Sequence, residues 1–262
     1  MKIMPMKTMS LLLSLALLPA SALADDHCKF SRPQALDLDL SGAKAVVFEV
    51  NSHDLNLQAG PAAKAALSGR ACASTQDLLS QLSLSQRKVG DKLVVTLERR
   101  SGLNINLGSS TYAWLDIRGT LPDTVMVQLK VGSGDVTARD IRGRATVAVG
   151  SGDIALERVG ALHVVSLGSG DIQADGVRGD ATVGSVGSGN LSVHDVQGAA
   201  RIERIGSGDV ELGDVRGTVS LGTLGSGDLD VRNAGGLNVQ RTGSGSVRHA
   251  GVSGTIDLPR KR

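Results

Sequence analysis

Five aspartates recur at one place in a repeating sequence: Asp135, Asp153, Asp171, Asp209 and Asp228, with Asn190 standing where a sixth is due. Carboxylates in such a row can serve two kinds of chemistry. They can ligate a hard cation such as calcium, or supply the acid and base that cleave an acidic polysaccharide. A catalytic centre needs one cluster, however, and this one returns in nearly every copy. That regularity suits a turn, where an aspartate carboxylate accepts hydrogen bonds from nearby backbone N–H groups. We therefore read Asp135, Asp153, Asp171, Asn190, Asp209 and Asp228 as a structural turn column, and expect no catalytic residue, no metal site and no cofactor. Calcium-binding β-rolls use Gly-Gly-x-Gly-x-Asp nonapeptides. The motif here is one residue tighter and recurs at about twice that period.

The other reactive residue types form no constellation. His27, His53, His163, His194 and His249 share no column, so neither a triad nor a zinc site is supported. Ser133 and its equivalents have no base beside them in sequence. Cys28 and Cys72 are the only cysteines, without a Cys-x-x-Cys spacing. In an exported chain they are expected to form a disulfide, closing a loop of about 45 residues worth ~4 kcal/mol on the chain-entropy model.

Each column residue follows a Gly-Ser-Gly triplet. The first residues of the triplets are Gly132, Gly150, Gly168, Gly187, Gly206, Gly225 and Gly243, in steps of 18, 18, 19, 19, 19 and 18 residues. A period this regular is the signature of a stacked repeat. Within a copy, apolar residues alternate with polar ones in two runs, each bounded by a glycine turn, which predicts short strands with one buried face. Val136, Ile154, Ile172, Leu191, Val210, Leu229 and Val247 form one apolar column, and Ile141, Val159, Val177, Val196 and Val215 another. A repeat this short cannot bury its apolar face alone. Stacked about 4.8 Å from its neighbours, it can pair its backbone with the rungs above and below. The predicted fold is all-β, a single-stranded parallel β-helix with two or three strands per turn of 18–19 residues. Right-handed crossovers are the expected hand. The corner glycines Gly134, Gly152, Gly170, Gly189, Gly208, Gly227 and Gly245 are expected to allow close approach of successive corners and positive φ. At the second corner, Asp140 with Arg142 and Asp214 with Arg216 are placed to pair along the surface.

Residues 1–24 read as a secretory signal, with Lys2 and Lys7 in front, an apolar run from Leu11 to Leu18 and a small-x-small site at Ala22-Leu23-Ala24. The apolar run is too short to span a membrane, and Cys28 lacks the spacing of a lipid-anchored cysteine. Removing residues 1–24 takes away two lysines and leaves a chain of zero net charge, which argues against nucleic acid as a partner. Residues 25–262 then read as one β-solenoid domain, irregular over 25–130 and regular over 131–262. Asn51-Ser52-His53-Asp54 stands where later rungs have Gly-Ser-Gly-Asp and reads as a degenerate first rung. Strands are expected at 93–97 and 103–107. Thr75 to Leu84 reads as one helix, capped by Ser74 or Thr75, closing the N-terminal end of the solenoid. The few aromatic residues of the exported chain all precede the repeats, and Trp114 reads as core.

Trp114-Leu115-Asp116-Ile117, Leu121-Pro122 and Val127-Gln128-Leu129-Lys130-Val131, followed by serial Gly-Ser-Gly-Asp-[Val/Ile], resemble the bacterial putative-adhesin family. These are exported β-strand-repeat proteins of unknown function, related to the head domain of autotransporter adhesins. The resemblance covers roughly 36–258 and is clearest over 114–257. It implies a β-helix, an envelope location and no established chemistry. No barrel-forming segment follows the last repeat, which favours the periplasm over surface display, and the chain is expected to be periplasmic or secreted. The functional expectation is a non-enzymatic envelope scaffold or adhesin-like binding module whose partner is an envelope protein or a polysaccharide. The alternative is a β-helix that binds or processes polysaccharide.

Overall fold

Alternation of apolar and polar residues becomes strand throughout the repeats. The computed structural model describes residues 28–61, 63–100 and 111–260. The predicted signal sequence and the predicted strand at 103–107 lie outside these residues. The N-terminal part contains β1 (Phe30–Asp37), β2 (Ala45–Val50), β3 (Asp54–Gly60), β4 (Ala66–Ala73), α1 (Gln76–Gln81), β5 (Leu82–Val89), β6 (Lys92–Arg99) and β7 (Ala113–Pro122). The array follows as β8 (Met126–Val131), β9 (Val136–Arg139), β10 (Arg144–Val149), β11 (Ile154–Val159), β12 (Ala161–Leu167), β13 (Asp171–Val177), β14 (Ala181–Val186), β15 (Asn190–Val196) and β16 (Ala200–Ile205). It ends with β17 (Val210–Leu224), β18 (Asp228–Thr242), β19 (Ser246–Ala250) and β20 (Ile256–Asp257).

Pairing sorts these strands into two facing ladders, with two strands per turn. The first sheet runs β5, β6, β2, β8, β10, β12, β14, β16, the second halves of β17 and β18, then β20. The second runs β1, β4, β7, β3, β9, β11, β13, β15, the first halves of β17 and β18, then β19. All pairs are parallel except β1 with β4, β4 with β7, and β5 with β6. The fold is therefore an all-β solenoid with one short helix among the described residues.

Between the sheets the apolar columns form one continuous core. Val136, Ile154, Ile172, Leu191, Val210 and Leu229 are all buried, each such side chain stabilising the fold by roughly 1.5–3 kcal/mol. Register explains why the period is not constant. In the first sheet one extra residue per rung, at Val165, Gly184, Glu203, Gly222 and Gln240, falls outside the ladder as a bulge. The copy starting at Gly132 lacks it: Val147 and Ala148 pair with Val164 and Ser166. The copies starting at Gly150 and Gly225 keep the bulge but shorten the second corner. Val159 and Leu162 enclose two residues where Val177 and Ala181 enclose three.

At the first corner, backbone stacks on backbone. The Ser151 N–H donates to the Gly132 carbonyl (2.7 Å), and the Ser188 N–H to that of Gly168 (2.8 Å). A Cβ on Gly189 would fall inside the Gly170 carbonyl, and the same holds from Gly134 to Gly245. Close approach is thus the whole reason for these glycines, because none of them lies at positive φ. The left-handed residues occupy the second corner instead, one per rung: Asp140 (φ 62°), Arg158 (55°), Gly176 (76°), Asp195 (51°), Asp214 (54°), Asn233 (55°) and Gly251 (68°).

The N-terminal end departs from sequence order. The rung made by β6 and β7 lies outside the rung made by β2 and β3, so the chain lays down an inner turn, then an outer one, then continues past the inner turn at β8. Asn51 to Asp54 does take the corner position, the Asn51 carbonyl accepting from the Ser133 and Gly134 N–H groups (2.7 and 3.2 Å). The helix is shorter than the sequence suggests. Thr75 caps it, its Oγ1 accepting from the Leu78 N–H at 3.2 Å. It stops at Gln81 because Leu82-Ser83-Leu84 alternates as well as it spirals, and antiparallel pairing with β6 decides for strand. α1 packs against β1, β4 and β5 at this closed end. Cys28 and Cys72 are joined, with Cα atoms 5.6 Å apart.

Candidate functional site

The Asp column runs along the edge of the second sheet, beside the first corner. Each carboxylate reaches along the stack rather than into its own turn. Asp135 Oδ1 accepts the N–H of Asp153 (3.3 Å), Asp153 that of Asp171 (3.0 Å), and Asp171 both the N–H and the Nδ2 of Asn190 (3.1 and 3.0 Å). Asp209 accepts from Asp228 (2.9 Å), and Asp228 from Ser246 (3.0 Å). The Ser246 N–H, and then Arg248, hold the Asp228 carboxyl below its ordinary range. At the start of the column partial burial, and then the neighbouring Asp135 and Asp116 charges, push Asp54 up. Among the described residues no three His, Cys, Asp or Glu side chains come together as a metal site would require.

Charge on the two outward faces is arranged differently. Four second-sheet arginines each pair with an acid: Arg139 with Glu157 (3.0 Å), Arg158 with Asp140 (2.6 Å), Arg232 with Asp230 (3.3 Å) and Arg248 with Asp228 (3.0 Å). The Asp140–Arg158 pair is bidentate and spans one rung, and with Gln58 it holds the Asp140 carboxyl at about 2. The expected pairing of Asp140 with Arg142 is not made, since Arg142 reaches Asp123 instead (3.0 Å). Asp214 accepts from the Nδ2 of Asn233 (2.9 Å), its column mate in the next rung, and no ion pair joins it to Arg216. Stacking at about 4.8 Å brings column mates closer than residues two apart in a bent corner.

On the first sheet, by contrast, Arg201, Arg204 and Arg241 are exposed, and among the described residues none makes an ion pair. They border a trough of about 580 Å³ that runs from Val165 to Arg241 across the bulged rungs. Its floor is hollowed where the bulge residue is glycine, at Gly184 and Gly222, with Glu203 standing between them. Bulges re-aim side chains in this way and recur beside functional sites. Sequence reasoning missed these residues. The signal was present in the 19-residue copies, whose extra residue is the bulge, and in a cationic pair, Arg201 and Arg204, on one strand.

Trp114 faces outward, half-buried over the β4 strand, with the Arg70 guanidinium 5.2 Å from its ring centre. Leu115 and Ile117 take the core positions that the sequence reading gave to the tryptophan. Among the described residues His53 and Asp123 are the deeply buried polar side chains, and Arg142 pairs with Asp123; His53 has no such ion pair. Its Nδ1 accepts from the Leu115 N–H (3.3 Å), and no partner meets its Nε2 among the described residues.

Comparison with known proteins gives a consistent relationship. The Toastrack DUF4097 family model matches residues 43–259. A crystal structure named as a putative adhesin from Bacteroides fragilis superposes with a TM-score of 0.61 at 14% identity, covering 86% of this chain and 99% of that one. A putative adhesin from Parabacteroides distasonis gives 0.53 at 11% identity, over 84% and 97% of the two chains. At these identities the likeness is one of fold. No curated protein matches the sequence.

Proposed function

The chain belongs to the Toastrack DUF4097 family, and from that membership we propose an exported, non-enzymatic cell-envelope protein, a scaffold or adhesin-like module that binds through the long faces of its solenoid. The observation that carries this reading is the use made of the Asp column. Asp135, Asp153, Asp171, Asp209 and Asp228 each accept a backbone N–H from the next rung, so this row of carboxylates is engaged in holding the stack. Export agrees with the Cys28–Cys72 disulfide, which persists in oxidising compartments. The adhesin names of the structural neighbours, and the extended faces that solenoids offer to partners, support binding over catalysis. Polysaccharide is favoured as one partner class by the cationic trough.

Fractionating cells that express the full chain tests the export step. The exported product should begin at Asp25 and resist alkylation until reduced. Incubation with a panel of acidic polysaccharides should release no reducing or unsaturated ends. Release that vanishes in Asp171→Ala would overturn the non-enzymatic reading.

A further inference from the structure

We propose that the trough on the first sheet is a binding site for a linear acidic polysaccharide, lying along the solenoid axis. This deepens the binding-module reading and rests on it. Three observations meet at one place. The bulge residue of each rung lifts out of the ladder, and where it is Gly184 or Gly222 the surface falls away into the trough. Both glycines are also required to be small, since a Cβ would approach the Val165 or the Glu203 carbonyl to 2.6 Å. The guanidinium groups of Arg201, Arg204 and Arg241 border this hollow and are not consumed by any acid among the described residues, whereas Arg139, Arg158, Arg232 and Arg248 on the opposite sheet are paired.

The shape selects an extended ligand. From Val165 to Arg241 the trough crosses five rungs, or about 20 Å at 4.8 Å per step. Arg204 and Arg241 stand two rungs apart in one column, about 10 Å at that spacing, so repeated anionic groups on a straight polymer can meet both. Arginine forks bind carboxylate and sulfate oxygens in bidentate fashion. Between the cations, Ser220, Glu203 and Gln240 supply donors and acceptors suited to hydroxyl groups. A peptide is the poorer fit. This surface is the middle of a fully paired sheet, so no edge is free to add a strand, and the trough lacks the separate apolar pockets that receive peptide side chains.

Titration of the purified chain with polygalacturonate, heparin and neutral dextran tests the site. One or both polyanions should bind, weakening with salt, and dextran should not. Carboxylated against sulfated ligand is decided by which of the two binds. The variant Arg201→Ala/Arg204→Ala/Arg241→Ala should lose at least tenfold in affinity with unchanged circular dichroism and melting. Arg178→Ala/Arg216→Ala/Arg232→Ala removes the same charge elsewhere and should change affinity less than twofold. Equal losses in the two variants, no loss in the first, equal binding of dextran, or equal displacement by poly-glutamate would each overturn the site. Capture of an envelope protein by a chain that binds neither polyanion would overturn it too, while leaving the binding-module reading intact.

Discussion

A valine at position 189 would drive its Cβ into the Gly170 carbonyl, a backbone group fixed by the stack. Overpacking of that kind costs about 1–3 kcal/mol when neighbours can yield, and here they cannot, so Gly189→Val should lose about 3 kcal/mol. Ser192→Val in the same rung, at a half-exposed outward position, should stay within about 0.5 kcal/mol of wild type. Paired urea melts distinguish the two, and similar midpoints would refute the stacked corner. The left-handed column makes a different demand. Asp214→Gly should be close to neutral, whereas Asp214→Val puts a β-branched residue at φ 54° and should cost roughly 1–3 kcal/mol. His53 carries the pH dependence. Burial first, and then the Arg99 charge, lower its pKa to about 4 from about 6.5 when unfolded. Between those values the unfolded chain binds the extra proton. The stability is complete above pH 6.5 and is lost as pH falls towards 4, by roughly 2–3 kcal/mol. His53→Gln should flatten that part of the stability profile, and an unchanged slope between pH 7 and 4.5 would exclude His53 as its source.

Among the elements, what the sequence displayed depended on repetition. Two apolar columns, the glycine corner and the Asp column were readable because each is stated several times over, so a single odd residue such as Asn190 does not hide the pattern. The left-handed column was readable in principle. Gly176, Asn233 and Gly251 are the residue types that favour such φ values, and Asp140, Asp195 and Asp214 tolerate them, but Arg158 masks the series. The direction of the Asp hydrogen bonds was not readable, because an Asx turn and an inter-rung bond ask for the same residue type. Nor was the end of the helix, since Leu82-Ser83-Leu84 satisfies both a helical stripe and strand alternation until β6 lies beside it. The site was the least legible. Its arginines belong to separate rungs, and only the bulge register sets them around one hollow.

Over the whole molecule the two ends are unlike. At one end β1, β4, β5 and α1 close the core with antiparallel pairings. At the other, β19 and β20 carry the last rung, where Ile256 and Leu258 are 42% and 37% exposed. Chains stopped at residue 242 and at residue 224 should therefore still unfold cooperatively, with urea m-values falling in step with the surface lost. A chain beginning at residue 126 lacks the closed end and should aggregate or remain unfolded, because terminal rungs need caps. Cooperative unfolding of that chain would show the array to be self-sufficient. The inverted order at the N-terminus has a consequence for ancestry. The inner turn is clamped by strands from two later stretches, so β2 and β3 cannot lose residues without loosening both neighbours. Past β9 each turn touches only its predecessor and its successor. Duplication of 18 or 19 residues there adds a storey and leaves the foundation untouched, which makes the reach of such a protein a freely heritable quantity while its base stays fixed.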